Sequence, residues 1–215
     1  MCAHYQAVTD LPTLRHHFGV DTSSAEARAD VWPAYSSVFI RRHPHADVGD
    51  EAVPERELSV GRFGMIPHWS KDEKISRHTY NARSETVMDK PSFRDAWRRS
   101  RHCIIPVSGF YEPDWRSGRA KSTRIESADG APMGVAGLWS TWRAPNGEQI
   151  ESFTMLTISA DSHALMRQFH KPEDEKRMIV ILPPERYDDW LRAKPEQSLG
   201  ILQPYPADKL CVAAE

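Results

Sequence analysis

The chain has 215 residues, 40% hydrophobic and 27% charged, with a net charge of −2. That is an ordinary globular composition, long enough to bury a core, and its near-neutral charge means that any nucleic-acid surface must be local. No apolar run is long enough to span a membrane and residues 1–7 lack signal-peptide form, so a cytoplasmic protein, nuclear in a eukaryote, is expected.

In chain order, Met1-Cys2 comes first. Removal of Met1 leaves Cys2 with a free α-amine beside its thiol. Such a 1,2-aminothiol attacks an aldehyde through nitrogen and closes through sulfur to a thiazolidine. Free α-amines titrate near ~7.7–8.0, so part of the amine is neutral at pH 7. Leu11, Leu14 and Phe18 form an i, i+3, i+7 stripe between Thr9-Asp10 and Gly19, which predicts a helix over 11–20. Residues 22–30 are small and polar, a loop. Val38-Phe39-Ile40, after Pro33 and two serines, predicts a strand within 31–42. Residues 43–57 are rich in Asp, Glu, Pro and His and predict an exposed loop.

A second strand region covers 58–69, and 71–80 reads as charged and flexible. Residues 91–101 predict an amphipathic helix with Phe93 and Trp97 inward. The same stretch gathers Arg94, Arg98, Arg99, Arg101 and His102, either a solvated helix face or a local nucleic-acid contact. Residues 102–111 predict a buried strand bent at Pro106 and Gly109. Strands over 123–127 and 133–141 flank Asp129-Gly130, a hairpin signal. Residues 153–158 are expected to pair with 135–142 around Pro145-Asn146-Gly147. Asp161 or Ser162 is expected to cap a helix running to Phe169. A buried strand over 178–182, a helix from Pro183-Pro184 through 185–191, and an edge strand at Leu210-Cys211-Val212 complete the chain.

Many short strands with few, short helices predict an α+β fold. We expect a single domain over 1–215, with a curled β-sheet or β-barrel-like core, short flanking helices, an exposed loop at 43–57 and a tail at 192–215.

Three widely spaced cysteines (Cys2, Cys103, Cys211) with no Cys-x-x-Cys pair disfavour disulfides and zinc. His16-His17 and His43/His45 have no acidic or Cys partner at ligand spacing. There is no P-loop, no Gly-x-Gly-x-x-Gly before a helix and no His-Glu-x-x-His, so neither a metal nor a cofactor is expected. Three polar groups do sit at the ends of apolar segments. Asn81 follows the Trp69 segment with Arg83. Glu112 follows the 102–111 run, where desolvation suits a proton donor. His170 ends the helix after 153–158, placed to act as acid or base near pH 7. A Cys/His/Glu or Cys/His/Asn set also fits a cysteine hydrolase, although Cys2 lacks the usual setting of an internal nucleophile.

Cys2, Gly64-Met65-Ile66-Pro67-His68-Trp69, Asn81-Ala82-Arg83-Ser84-Glu85-Thr86, Phe93-Arg94, Ile105-Pro106 and Gly109-Phe110-Tyr111-Glu112 stand in an order that resembles the SRAP family (SOS response-associated peptidase). Ala136-Gly137-Leu138-Trp139, residues 154–161, His170 and Arg177-Met178 continue the match to about residue 190. The resemblance implies a sensor and shield of abasic sites in single-stranded DNA. The processed Cys2 would form a thiazolidine with the aldehyde of the ring-opened sugar. By matching position, Asn81 positions residue 2, and Glu112 is the general acid/base linked also to Met1 removal. His170 assists ring opening, proton transfer and crosslink reversal. Arg83 and Arg177 contact phosphate, and Trp69 and Pro33 line the DNA groove. The implied partner is single-stranded DNA carrying abasic sites, met by a monomer without a membrane, metal or cofactor. A thiol peptidase acting on proteins, or a non-catalytic single-strand binding module, are the alternatives. The chain departs from the family pattern in three places. Ala3-His4 stand where Gly and Arg are common, Pro113 follows Glu112 where Trp is common, and residues 171–176 are inserted between His170 and Arg177.

Overall fold

The β-branched and aromatic runs fold into a sheet that closes on itself. The structure, a computed structural model, describes residues 2–24, 27–50 and 52–214. Its strands are β1 (His4–Ala7), β2 (Asp30–Val31), β3 (Ser36–Arg42), β4 (Arg56–Phe63), β5 (Asn81–Arg83), β6 (His102–Asp114), β7 (Lys121–Ser127), β8 (Met133–Arg143), β9 (Gln149–Ser159), β10 (Arg177–Ile179), β11 (Ile181–Leu182) and β12 (Leu210–Val212). Among the described residues, four short α-helices accompany them, α1 (Leu11–Phe18), α2 (Arg94–Arg98), α3 (Tyr187–Arg192) and α4 (Pro195–Ile201). Five strands form a closed barrel: β6 pairs with β3, β3 with β4, β4 with β9 in parallel, β9 with β8, and β8 returns to β6. The fold is therefore α+β, one domain on a barrel core, as the pattern of short strands predicts. No helix among the described residues is long and apolar enough to cross a membrane.

The 13-residue β6 organises the barrel. Its first half pairs with β8 (His102↔Leu138 to Val107↔Met133) and its second half with β7 (Phe110↔Ile125 to Asp114↔Lys121). Along the other edge it meets β3 at Ile104 and then β1 from Val107 to Tyr111. Pro106 is tolerated inside the strand, and its carbonyl accepts from the Val8 N–H at 3.0 Å. One long strand thus carries the basic stretch at one end and Glu112 at the other.

The barrel interior is aromatic. Phe153 contacts Phe39 and Phe63 at centroid separations of 5.4 and 5.6 Å, and Tyr5 meets Phe63 edge-on at 5.1 Å. Each ring is fully buried, worth about 2–3 kcal/mol of transfer free energy apiece. Outside the barrel, Trp190 of α3 is fully buried and donates its Nε1–H to the Cys103 carbonyl at 2.9 Å.

Several elements follow the sequence closely. Asp10 caps α1 by accepting from the Thr13 N–H, and Gly19 closes it in the left-handed conformation. The β8–β9 hairpin forms around Pro145-Asn146-Gly147, and β12 adds to the edge of β7. Other expectations need correction. β7 and β8 do not form a hairpin across Asp129-Gly130; both pair with β6, one above the other, so the turn is a corner between successive neighbours. The 71–80 stretch contains a 3₁₀ helix, Glu73–His78, on which Gly64 packs with a φ of +117°. The helix before His170 shrinks to one 3₁₀ turn, Met166–Gln168, started by His163 Nδ1 accepting from the Met166 N–H rather than by Asp161 or Ser162. The 178–182 strand splits at Val180 because β10 pairs with β9 and β11 with β8. The helix α4 carries no strong hydrophobic stripe, and the sequence reading leaves it within the tail.

Candidate active site

Cys2 enters just ahead of β1 and is 1% exposed. Its Sγ–H donates to the His4 carbonyl at 3.5 Å. β5, running parallel to β9 with Asn81 opposite Met155, brings Asn81 alongside. Asn81 Nδ2 donates to the Cys2 carbonyl at 3.0 Å and to the Tyr80 carbonyl at 2.8 Å. Its Oδ1 is buried and meets no donor among the described residues. Asn81 therefore fixes the backbone of residue 2 and leaves a hydrogen-bond acceptor beside it.

Glu112, near the end of β6, is 1% exposed. A carboxylate so buried needs a specific partner, since its desolvation is costly. His170 supplies one: its Nε2 lies 2.9 Å from Glu112 Oε2. His170 adopts a φ of +65°, rare for a non-Gly residue. Its N–H donates to the Pro113 carbonyl at 2.9 Å, and Phe169 bridges to Asp114. The 166–170 segment is thus laid along the end of β6, and those bonds hold the imidazole over the carboxylate.

The two halves are electrostatically one cluster. Burial, and then the Glu112 charge, push the Cys2 thiol well above its ordinary range. Tyr80 belongs to the same cluster: burial first, then Cys2 and Glu112, raise its phenol. Met1, whose removal the aminothiol chemistry requires, lies outside the described residues.

The expected DNA-facing residues divide. Pro33 is half-buried between exposed Trp32 and Tyr35, and Trp69 is 49% exposed with its Nε1–H on the Pro91 carbonyl. Arg83 is exposed but paired, its Nη1 2.8 Å from Glu175 Oε2. Arg177 departs from expectation. It is 2% exposed; Nη1 and Nη2 each donate to Glu85 at 2.9 Å, Nη1 also to Glu175 at 3.0 Å, and Nη2 to the Thr157 carbonyl at 2.7 Å. As folded, Arg177 is a buried strut between β10 and β9, and its guanidinium is not open to a phosphate. The inserted segment contributes to this, because Glu175 reaches Arg83 with one carboxylate oxygen and Arg177 with the other.

Sequence reasoning missed a feature next to Cys2 and Glu112. His4, which stands where the family often has Arg, stacks between Trp32 and Tyr111, 4.0 Å from each ring, with Nε2 2.7 Å from Asp30 Oδ1. Nothing local signals the ladder: it exists because β1 pairs with both β2 and β6, placing residues 4, 30–32 and 111 together.

The fold and the site define an α+β barrel protein in which a buried cysteine at position 2 is set against an Asn, with a Glu–His pair beside it. The chain belongs to the SRAP family: a sequence model of the family described as SOS response associated peptidase (SRAP) matches residues 1–214. It is 32% identical over 216 residues to the abasic site processing protein YoqW of Bacillus subtilis, covering 98% of this chain and 90% of that one. It is 25% identical over 190 residues to the abasic site processing protein HMCES of Mus musculus, covering 72% of this chain and 51% of the mouse protein. A crystal structure of a protein from Bordetella bronchiseptica superposes with a TM-score of 0.89 at 49% identity, covering 100% of this chain and 99% of that one.

Proposed function

We propose that the protein processes abasic sites in single-stranded DNA by capturing them covalently through Cys2 once Met1 is removed. The observation that carries this reading is the proximity of residue 2, Asn81 and the buried Glu112–His170 pair, brought together by the pairing of β1 with β6. The ring-opened abasic sugar presents an aldehyde. The neutral amine of Cys2 adds to its carbon, and Asn81, whose buried Oδ1 has no donor among the described residues, would hold the amine by accepting one of its protons. The resulting hydroxyl leaves as water after taking a proton from the Glu112–His170 pair, and the nitrogen returns a proton to the pair as the imine forms. The thiol then adds to the imine carbon, its proton passing by way of the pair to nitrogen. Aldehyde and aminothiol thus become thiazolidine plus one water, with no oxidant or reductant.

The raised thiol fits this order of events. A thiol kept protonated by burial does not compete with the amine in the first step, and it loses its proton only as the S–C bond forms. The same feature weighs against a protein-cleaving cysteine peptidase, whose nucleophile is a thiolate. Ring closure also removes the imine from which β-elimination would cut the strand. In the test, Met1-free protein is mixed with a single-stranded oligonucleotide carrying one abasic site and run on a denaturing gel. A retarded band is expected with wild type and not with Cys2→Ala; equal bands would sink the proposal.

A further inference from the structure

The basic stretch that the sequence singles out is not used by the capture chemistry. It lies at the other end of β6, where Arg99, Arg101, Arg42, His43, Arg192 and Lys194 line a groove of about 510 Å³. No carboxylate lines it among the described residues. Some of these cations are compensated from outside: Asp47 and Glu55 reach Arg42, Glu55 reaches Arg192, and Asp95 pairs with Arg99 at 3.1 Å. Arg101 is not. It is half-buried, has no acidic partner within ion-pair distance among the described residues, and sits 5.0 Å from the Trp139 ring centroid, with Arg41 over the same ring at 4.3 Å. Burial, then Arg99, disfavour its charge. A half-buried cation crowded by other cations is a place where an anion is stabilising.

A track leads there from the DNA-facing side. Trp69 hydrogen-bonds to Pro91 and His68 Nδ1 lies 3.9 Å from Asp95, so the 64–69 segment packs on the start of α2. Arg94 and Arg98 then project from α2 one turn apart, both exposed and neither ion-paired among the described residues. From His102 to Glu112, ten steps of about 3.3 Å along β6 separate groove and capture site by about 30 Å. We propose that this groove, reached over α2, binds the phosphate backbone of the nucleic acid that continues beyond the captured lesion. The partner is a nucleic acid rather than an acidic protein because the track begins at Trp69, beside the proposed strand path, and offers spaced guanidinium groups. Its Trp139 ring is covered by arginines, so the contact reads phosphate and not base.

This inference rests on the capture reading, and the experiment separates the two. Crosslinking to an abasic oligonucleotide of about six nucleotides, too short to span about 30 Å from a central lesion, reads the capture site alone. Affinity for an intact single strand of about 30 nucleotides reads the groove. Arg98→Glu/Arg99→Glu, and separately Arg101→Gln, should lower the long-strand affinity at least about tenfold and flatten its salt dependence by about 0.7 in log–log slope per lost phosphate contact. Thermal melting of each variant reports folding; the first variant changes the approach over α2 together with Arg99 of the groove, the second the groove alone. Wild-type affinity and salt slope in both variants would overturn the proposal. So would competition by poly-glutamate as effective as competition by the oligonucleotide. Absence of a crosslink between wild type and the short abasic strand would instead overturn the capture reading.

Discussion

His102 offers a quantitative test of how β6 is anchored. The residue is 2% exposed, its Nε2 is 3.1 Å from the Ser198 hydroxyl, and its ring lies 4.1 Å from Trp190. Burial pushes its imidazole down from 6.5 to about 4. Between those values the unfolded chain takes up a proton that the folded protein refuses, so the stabilisation is complete above about pH 6.5 and is lost as pH falls towards 4. From 6.5 to about 4, at about 1.4 kcal/mol per pH step, the full loss is about 3–4 kcal/mol, of which about 2 has gone by pH 5. Urea denaturation at about pH 7.5 and pH 5 measures it directly. His102→Asn keeps a polar group near Ser198 but does not titrate, so it should lose about 2 kcal/mol less than wild type on acidification, the other groups cancelling between the two proteins. Equal acid sensitivity in both would refute the reasoning.

Three further outcomes follow from the site. Arg177→Met should lower stability by about 3–5 kcal/mol, because it strips a buried cation from two acidic partners and a carbonyl; a denaturation midpoint unchanged from wild type would show that Arg177 is no strut. Glu175→Gln should raise single-strand affinity several-fold and steepen its salt slope by about 0.7, since it frees Arg83 for a phosphate; an unaltered slope in an anisotropy titration contradicts this. Asn81→Ala should slow crosslinking by about a hundredfold, the scale of loss for a misplaced nucleophile, and a single-turnover rate within twofold of wild type would remove Asn81 from the mechanism.

Much of the architecture is written locally. The Asp10 and Gly19 caps, the Pro145-Asn146-Gly147 turn and the apolar run of β6 each depend on near neighbours, and each is where the sequence places it. What was not legible depends on distant pairing. Thr123 and Met133 flank a turn yet do not pair with each other, because β6 has room for β7 and β8 in succession along one edge. The His170 helix fails because positive φ at His170 and the bridge to Asp114 require an extended segment there. In the candidate site, Asn81, Glu112 and His170 stand out as polar groups ending apolar segments, and their clustering with Cys2 is what barrel closure brings about. Arg177 misleads for the opposite reason. Its number in the chain says nothing of Glu85 and Glu175, which surround it only once β5, β9 and β10 lie side by side.

The central claim is that the amine and thiol of Cys2 act together on an aldehyde. Intact-mass measurement of the purified protein, before and after reaction with a single-stranded abasic oligonucleotide, tests it most directly. The starting protein should lack Met1, and the conjugate should weigh the sum of both reactants less one water, stable without reductant; Cys2→Ser, with an amine but no thiol, should give a conjugate only when borohydride traps the imine. Equal conjugation by protein that retains Met1, or a stable Cys2→Ser adduct without reductant, would contradict the claim.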